Sequence, residues 1–210
     1  MVSRARLTLP GLLLTLGCGS LPYPVWDHEF ADTAHLVGNE LIYWGLVALT
    51  LAYVLLAEKR PLTSIGFRKP GALDCLSAVL AAALIVTVLA GIYFVVFPAL
   101  HLSEDHAIDQ LRAAPRWWLA ISVLRAAVSE EVLFRGYPIE RLRELTGSRT
   151  LAALLPLVLF ALAHVGPWGW AHLLVGAVGG GLLTLLYLWR RNLWVNILCH
   201  TIVDGVATLA

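Results

Sequence analysis

The sequence predicts an all-α protein, a polytopic transmembrane bundle of about seven helical spans. Three observations predict it. Of the 210 residues, 59% are hydrophobic and only 14% are charged, against roughly 45–50% and about 25% in a soluble domain. The charges gather in short clusters, which leaves apolar stretches near the length, about 20 residues of helix, that crosses a hydrocarbon core. Trp26, Trp117, Trp118, Trp168, Trp170, Trp189 and Trp194 fall near the ends of those stretches, as aromatic residues do at the two membrane interfaces. The formal net charge of +1 excludes nucleic acid as the main partner, because phosphate binding needs a basic face. The partner that this composition implies is the lipid bilayer.

Seven apolar segments follow one another. Leu7 to Leu21 is short, contains Pro10 and is followed by Pro22 and Pro24, which suits a short, kinked first span. Arg4 and Arg6 ahead of it, with Thr15-Leu16-Gly17-Cys18 inside it, also allow a cleaved signal segment. His35 to Ala57, Ala72 to Leu100 and Trp117 to Phe134 come next, then the short Leu151 to Val165, then Trp168 to Trp189 and Leu193 to Ala210. Placing Arg4 and Arg6 inside and threading seven spans gives the inner loops Lys59, Arg60, Arg68, Lys69, Arg141, Arg143, Arg149, Arg190 and Arg191. The outer loops receive only Arg112 and Arg116, and hold Asp27, Glu29, Asp32, Glu104, Asp105 and Asp109. Basic loops stay cytoplasmic, so the N-terminus is expected inside and the C-terminus outside. Residues 1–115 and 116–210 are expected to form an N-terminal and a C-terminal part of one integrated membrane domain.

Cys18, Cys75 and Cys199 have no paired spacing and read as packing residues. Gly176 and Gly180 share a helix face, where glycines let a neighbouring backbone approach closely; docking of a substrate helix is the sharper alternative.

Ionisable groups inside a span are costly, so each is a functional hypothesis. Glu40, Asp74 and His172 lie near span ends and are expected to reach water. The rest collect in three places. In Ser129-Glu130-Glu131-Val132-Leu133-Phe134-Arg135, adjacent carboxylates point about 100° apart. Glu131 and Arg135 share a face as an i,i+4 pair, which leaves Glu130 without a downstream partner and suited to general-base work. Two interfacial glutamates snorkelling to water are the plain alternative. His164 closes Phe160-Ala161-Leu162-Ala163-His164 and, alone, reads as a hydrogen-bonded packing histidine. Asn196, His200 and Asp204 form a polar stripe on the last span, facing a protein interior or a wet cavity, with helix–helix hydrogen bonding as the plain alternative. Arg125 has no clear role. At about 1.5 Å per residue, His200, Asp204 and His164 lie roughly 13, 20 and 22 Å beyond their basic span ends, and Glu130 roughly 16 Å from Arg141. These depths let the groups meet. A Glu, two His and an Asp in an enclosed wet pocket make a hydrolytic arrangement.

At EEVLFR, FALAH and HTIVD, in that order on successive spans, the sequence resembles the CAAX prenyl protease and bacteriocin-processing (CPBP, or Abi) family of intramembrane proteases over roughly Trp117 to Ala210. The resemblance implies an active site inside the C-terminal four-helix part. It implies Glu130 as the general base that activates water, His164 as the group that holds and polarises that water, and Glu131 as support anchored by Arg135. His200 and the residue at Asp204 then lie on the oxyanion side. Many members carry Asn where this chain has Asp204; an ionised Asp cannot donate a hydrogen bond, so this residue must be protonated or must orient His200. The implied function is an intramembrane endopeptidase acting on a membrane-embedded protein or peptide. The prokaryote-like compactness of the chain favours peptides and C-terminal sorting helices over prenylated C-termini, and a prokaryotic inner membrane as the location. No cofactor is expected; the alternative is a catalytic zinc on Glu130, His164 and His200, although the HExxH spacing is absent. Two other classes compete with a protease, a non-catalytic scaffold or immunity-type peptide-binding protein and a proton-coupled transporter.

Overall fold

The computed structural model describes residues 2–21, 33–103 and 114–209, and these contain helices and turns with no strand among them. The helices are α1 (Val2–Leu12), α2 (Thr33–Ala52), α3 (Ala72–Gly91), α4 (Arg116–Glu130), α5 (Tyr137–Thr146), α6 (Arg149–Ala163), α7 (His172–Arg190) and α8 (Leu193–Leu209). Their boundaries follow local chemistry. Asp74 accepts the Gly71 N–H at 2.9 Å at the start of α3, and Ser148 accepts the Leu151 N–H at 3.1 Å at the start of α6, each satisfying a donor that the first helical turn leaves free. Gly147 ends α5 with a left-handed φ of 71°, a conformation that glycine adopts without penalty.

Four stretches are long and apolar enough to cross a membrane, Glu40–Ala57, Ala72–Leu100, Arg149–Trp168 and His172–Arg190, while Arg6–Cys18 and Leu193–Leu209 are shorter apolar helices. The exterior is oily: Leu56, Leu73, Leu80, Phe94 and Leu185 are exposed, while Glu131, Arg135, Arg141, Asn196 and His200 are buried. This inverted distribution is that of a helical bundle in lipid, and the chain fits an integral membrane protein.

The fourth apolar segment was expected to stop at Phe134. It does not: α4 runs through a π-turn, Glu131–Gly136, directly into α5. Continuous helix satisfies every backbone group of a segment that lies inside the bundle, so a break there would be expensive. Gly136 permits this course, because a Cβ on it would lie 2.8 Å from the Ile65 carbonyl oxygen and 2.9 Å from Leu193 Cδ2. α1 packs into the same core through Leu12 and Leu16, continues as a π-turn over Leu13–Cys18, and carries Pro10 within it.

Several charges expected in water are buried instead. At the basic end, Arg141 is fully buried and donates to Glu58 at 2.6 Å, Tyr137 donates to the same carboxylate at 2.8 Å, and Glu140 pairs with Arg191 and accepts from Tyr187 at 3.0 Å. Asp74, by contrast, stays partly exposed at the start of α3, as expected, where it is bound by Arg190 besides capping the helix. Glu40 lies about two turns inside α2, where its carboxylate accepts from Arg125 Nε at 3.2 Å, with both side chains largely buried. Low dielectric makes a partner cheaper than a path to water for such groups. Two packing expectations also change: Cys75 is exposed while Cys199 is buried, and Trp118 is a core residue at 4% exposure rather than an interface residue. Trp26 and the loop charges Asp27, Glu29, Asp32, Glu104, Asp105, Asp109 and Arg112 lie outside the described residues.

Candidate active site

Three helices bring the polar groups together. α4 supplies Glu130, the π-turn that follows it supplies Glu131 and Arg135, the end of α6 supplies His164, and α8 supplies Asn196, His200 and Asp204. A π-turn inserts a residue into the helical ladder and re-aims the side chains on it, a feature common at functional sites.

The two adjacent glutamates have different surroundings. Glu131 is 0% exposed and saturated: it accepts from Arg135 Nη1 at 3.0 Å, from Asn196 Nδ2 at 3.1 Å, and from His200 Nδ1 at 2.9 Å. Arg135 is held in turn, with Nη2 donating to the Gly180 carbonyl at 3.3 Å and its guanidinium 4.1 Å from the Phe160 ring centroid. Asn196 also donates to the Leu183 carbonyl at 2.8 Å. Glu130 makes no hydrogen bond among the described residues, yet two imidazoles face it: His200 Nε2 at 3.7 Å and His164 Nε2 at 3.9 Å from Oε2. Asp204 Oδ2 lies 3.5 Å from His200 Nε2 and keeps 31% side-chain exposure.

The histidine tautomers follow from their partners. His164 Nδ1 lies 2.7 Å from the Phe160 carbonyl, and a carbonyl only accepts, so Nδ1 carries the proton and Nε2 is turned to Glu130. His200 Nδ1 likewise donates to Glu131, leaving Nε2 between Glu130 and Asp204. The expected set Glu130, Glu131, Arg135, His164, His200 and Asp204 therefore meets in one place.

Of these, Glu130, His164, His200 and Asp204 line a cavity of about 1350 Å³ together with Leu89 and Tyr93 of the α3 side and Gly176 of α7. This exceeds the roughly 300–1,000 Å³ of a typical small-molecule pocket, and its wall is largely apolar. Gly176 and Gly180 allow close helix packing beside the cavity: a Cβ on Gly176 would lie 3.3 Å from Ala161 Cα, and one on Gly180 only 2.8 Å from Phe160 Cδ1. Gly180 thus leaves room for the ring on which Arg135 rests.

Three features lie beyond the sequence reading. Phe160 is an aromatic platform, with His164 at 4.3 Å and Phe134 at 5.3 Å between ring centroids. His172, expected at the water interface, stacks on His164 at 5.7 Å with an interplanar angle of 14°, and on Trp168 at 5.1 Å. The chain reversal at Gly169, with φ at 85°, brings them together, and no periodicity signals such a contact. The third feature is the partner of Arg125, described above. Among the described residues, no three His, Cys, Asp or Glu side chains are grouped as a metal site would require; Glu130, His164 and His200 remain the side chains whose donor atoms converge.

No curated protein and no solved structure gave a significant match to the chain. A family model did match, over residues 112–206, described as type II CAAX prenyl endopeptidase Rce1-like. That stretch contains EEVLFR, FALAH and HTIVD and every residue of the site, and it supports a CAAX protease-like peptidase. Residues 112–206, just under half of the chain, are thus similar to the Rce1-like type II CAAX prenyl endopeptidases.

Proposed function

We propose that the protein is an intramembrane endopeptidase that hydrolyses a peptide bond of a membrane-associated protein or peptide, with water activated by Glu130 and no metal required. One observation carries this reading: of two neighbouring carboxylates, Glu131 is consumed by Arg135, Asn196 and His200, while Glu130 opens onto the cavity facing two imidazole Nε2 atoms. A carboxylate so placed takes a proton from a water held between it and His164. The water oxygen then bonds to the carbonyl carbon, the C–N bond breaks, and Glu130 passes the proton to the departing amine. His200, protonated on both ring nitrogens and fixed through Nδ1–H to Glu131, presents Nε2–H to the developing oxyanion. Asp204, with Oδ2 3.5 Å from His200 Nε2, acts as an acceptor that orients His200, a role open to an ionised Asp.

The basic end, where Arg60, Arg141, Arg190 and Arg191 gather, is assigned to the cytoplasmic side, with the N-terminus inside. The test is cleavage of a fluorogenic farnesylated CAAX peptide, and of co-expressed proteins with C-terminal sorting helices, by protein in nanodiscs. Glu130→Gln and His164→Ala should each lower turnover by about 100-fold or more. Undiminished cleavage in both variants refutes the scheme, and biological function retained by a folded Glu130→Gln protein would point to a scaffold instead.

A further inference from the structure

Of the buried ion pairs that the hydrolytic scheme leaves unused, Glu40–Arg125 reaches the active-site cavity. Arg125, on α4 five residues before Glu130, is 7% exposed. It donates to Glu40 through Nε alone, at 3.2 Å, and its guanidinium carbon lies 4.5 Å from the Tyr43 ring centroid. Neither Nη nitrogen is hydrogen-bonded among the described residues, and neither is sealed off, since the buried atoms without partners include Glu40 Oε2 but no Arg125 atom. Arg125 lines the cavity that holds Glu130, His200 and Asp204, whereas Glu40 does not.

An arginine inside a bilayer is expensive and needs a reason. An ion pair that served only to tie α2 to α4 would gain most from two parallel hydrogen bonds, because the guanidinium fork matches a carboxylate bidentately. Here the pairing uses one nitrogen and one oxygen, and the fork end is left over. Arg116 and Arg125, both on α4, supply the guanidinium groups of the cavity wall.

We propose that Arg125 is a carboxylate-binding subsite, held by Glu40 and stacked on Tyr43, and that it seats the free C-terminal carboxylate of the substrate. The proposal rests on the hydrolytic reading above and deepens it. Arg125 and Glu130 lie five residues apart on α4, about 7.5 Å along its axis, and both line the cavity.

The experiment measures binding to full-length Glu130→Gln protein in nanodiscs, so that the probe is not consumed. The probes are a farnesylated CAAX peptide as the free acid, the same peptide as its C-terminal amide, and an amide peptide ending in Asp. The free acid should bind at least 10-fold more tightly than either amide. Adding Arg125→Gln should abolish that preference, and Arg125→Lys should restore part of it. Because Arg125→Gln strands the Glu40 carboxylate, the same loss is required of the neutral pair Glu40→Gln/Arg125→Gln. Equal binding of acid and amide, no binding of the acid, or a preference that survives without Arg125 overturns the subsite. Binding of the Asp-terminated amide as tightly as the acid overturns its assignment to the chain end. Glu130-dependent cleavage combined with equal affinities would refute the subsite alone, while an Arg125-dependent preference without Glu130-dependent cleavage would refute hydrolysis alone.

Discussion

Replacing Arg135 with Met removes the cation from a carboxylate that has no access to water. Arg135 and Glu131 are 1% and 0% exposed, and their 3.0 Å contact lies within a single helical turn. Methionine keeps an unbranched apolar stem over Phe160, so the change isolates the charge and its hydrogen bonds. Glu131 would retain Asn196 and His200, and the Gly180 carbonyl would lose the donor it has at 3.3 Å. Breaking a buried pair by removing one partner costs about 3–5 kcal/mol, a large share of a total stability of about 5–15 kcal/mol. Glu131→Gln in the same chain removes the stranded charge, so Glu131→Gln/Arg135→Met should be more stable than Arg135→Met alone by about 2 kcal/mol or more. Equilibrium unfolding in mixed micelles, followed by tryptophan fluorescence, measures all four proteins. A cost below about 1 kcal/mol for Arg135→Met, or strict additivity of the two changes, would refute the reasoning that Glu131 is a buried anion dependent on Arg135.

Three further outcomes are expected. Gly180→Ala forces a methyl to within 2.8 Å of Phe160 and should cost about 1–3 kcal/mol, whereas Gly45→Ala, with nothing within 4 Å, should be stability-neutral or better in the same unfolding assay. His172→Ala removes the ring stacked on His164 and should lower kcat with little change in KM, and His172→Phe should recover much of the loss in steady-state assays. Dialysis of the purified protein against 1,10-phenanthroline should leave cleavage intact; loss of activity restored by added zinc would instead assign Glu130, His164 and His200 as ligands.

Much of the site was legible in the sequence because its residues obey helical periodicity. Glu131 and Arg135, and His200 and Asp204, are each four apart, and that spacing alone places each pair on one helix face. It also separates Glu130 from Glu131, so their division into a free and a bound carboxylate was foreseeable. The spans were legible because a hydrocarbon core demands length and apolarity, both of which are properties of the chain itself.

Contacts between elements were not legible, since no local rule links residues far apart in the chain. Glu40 and Arg125 are separated by 85 positions, and each looks like a misplaced charge until α2 lies against α4. His172 becomes a neighbour of His164 only through the reversal at Gly169. The sequence by itself determined a helical membrane bundle and which residue types had to be hidden from lipid. The tertiary structure decided which of them neutralise one another and which, like Glu130, are left facing the cavity, because a charge buried in low dielectric is governed by its nearest partner, and partners are assigned by packing.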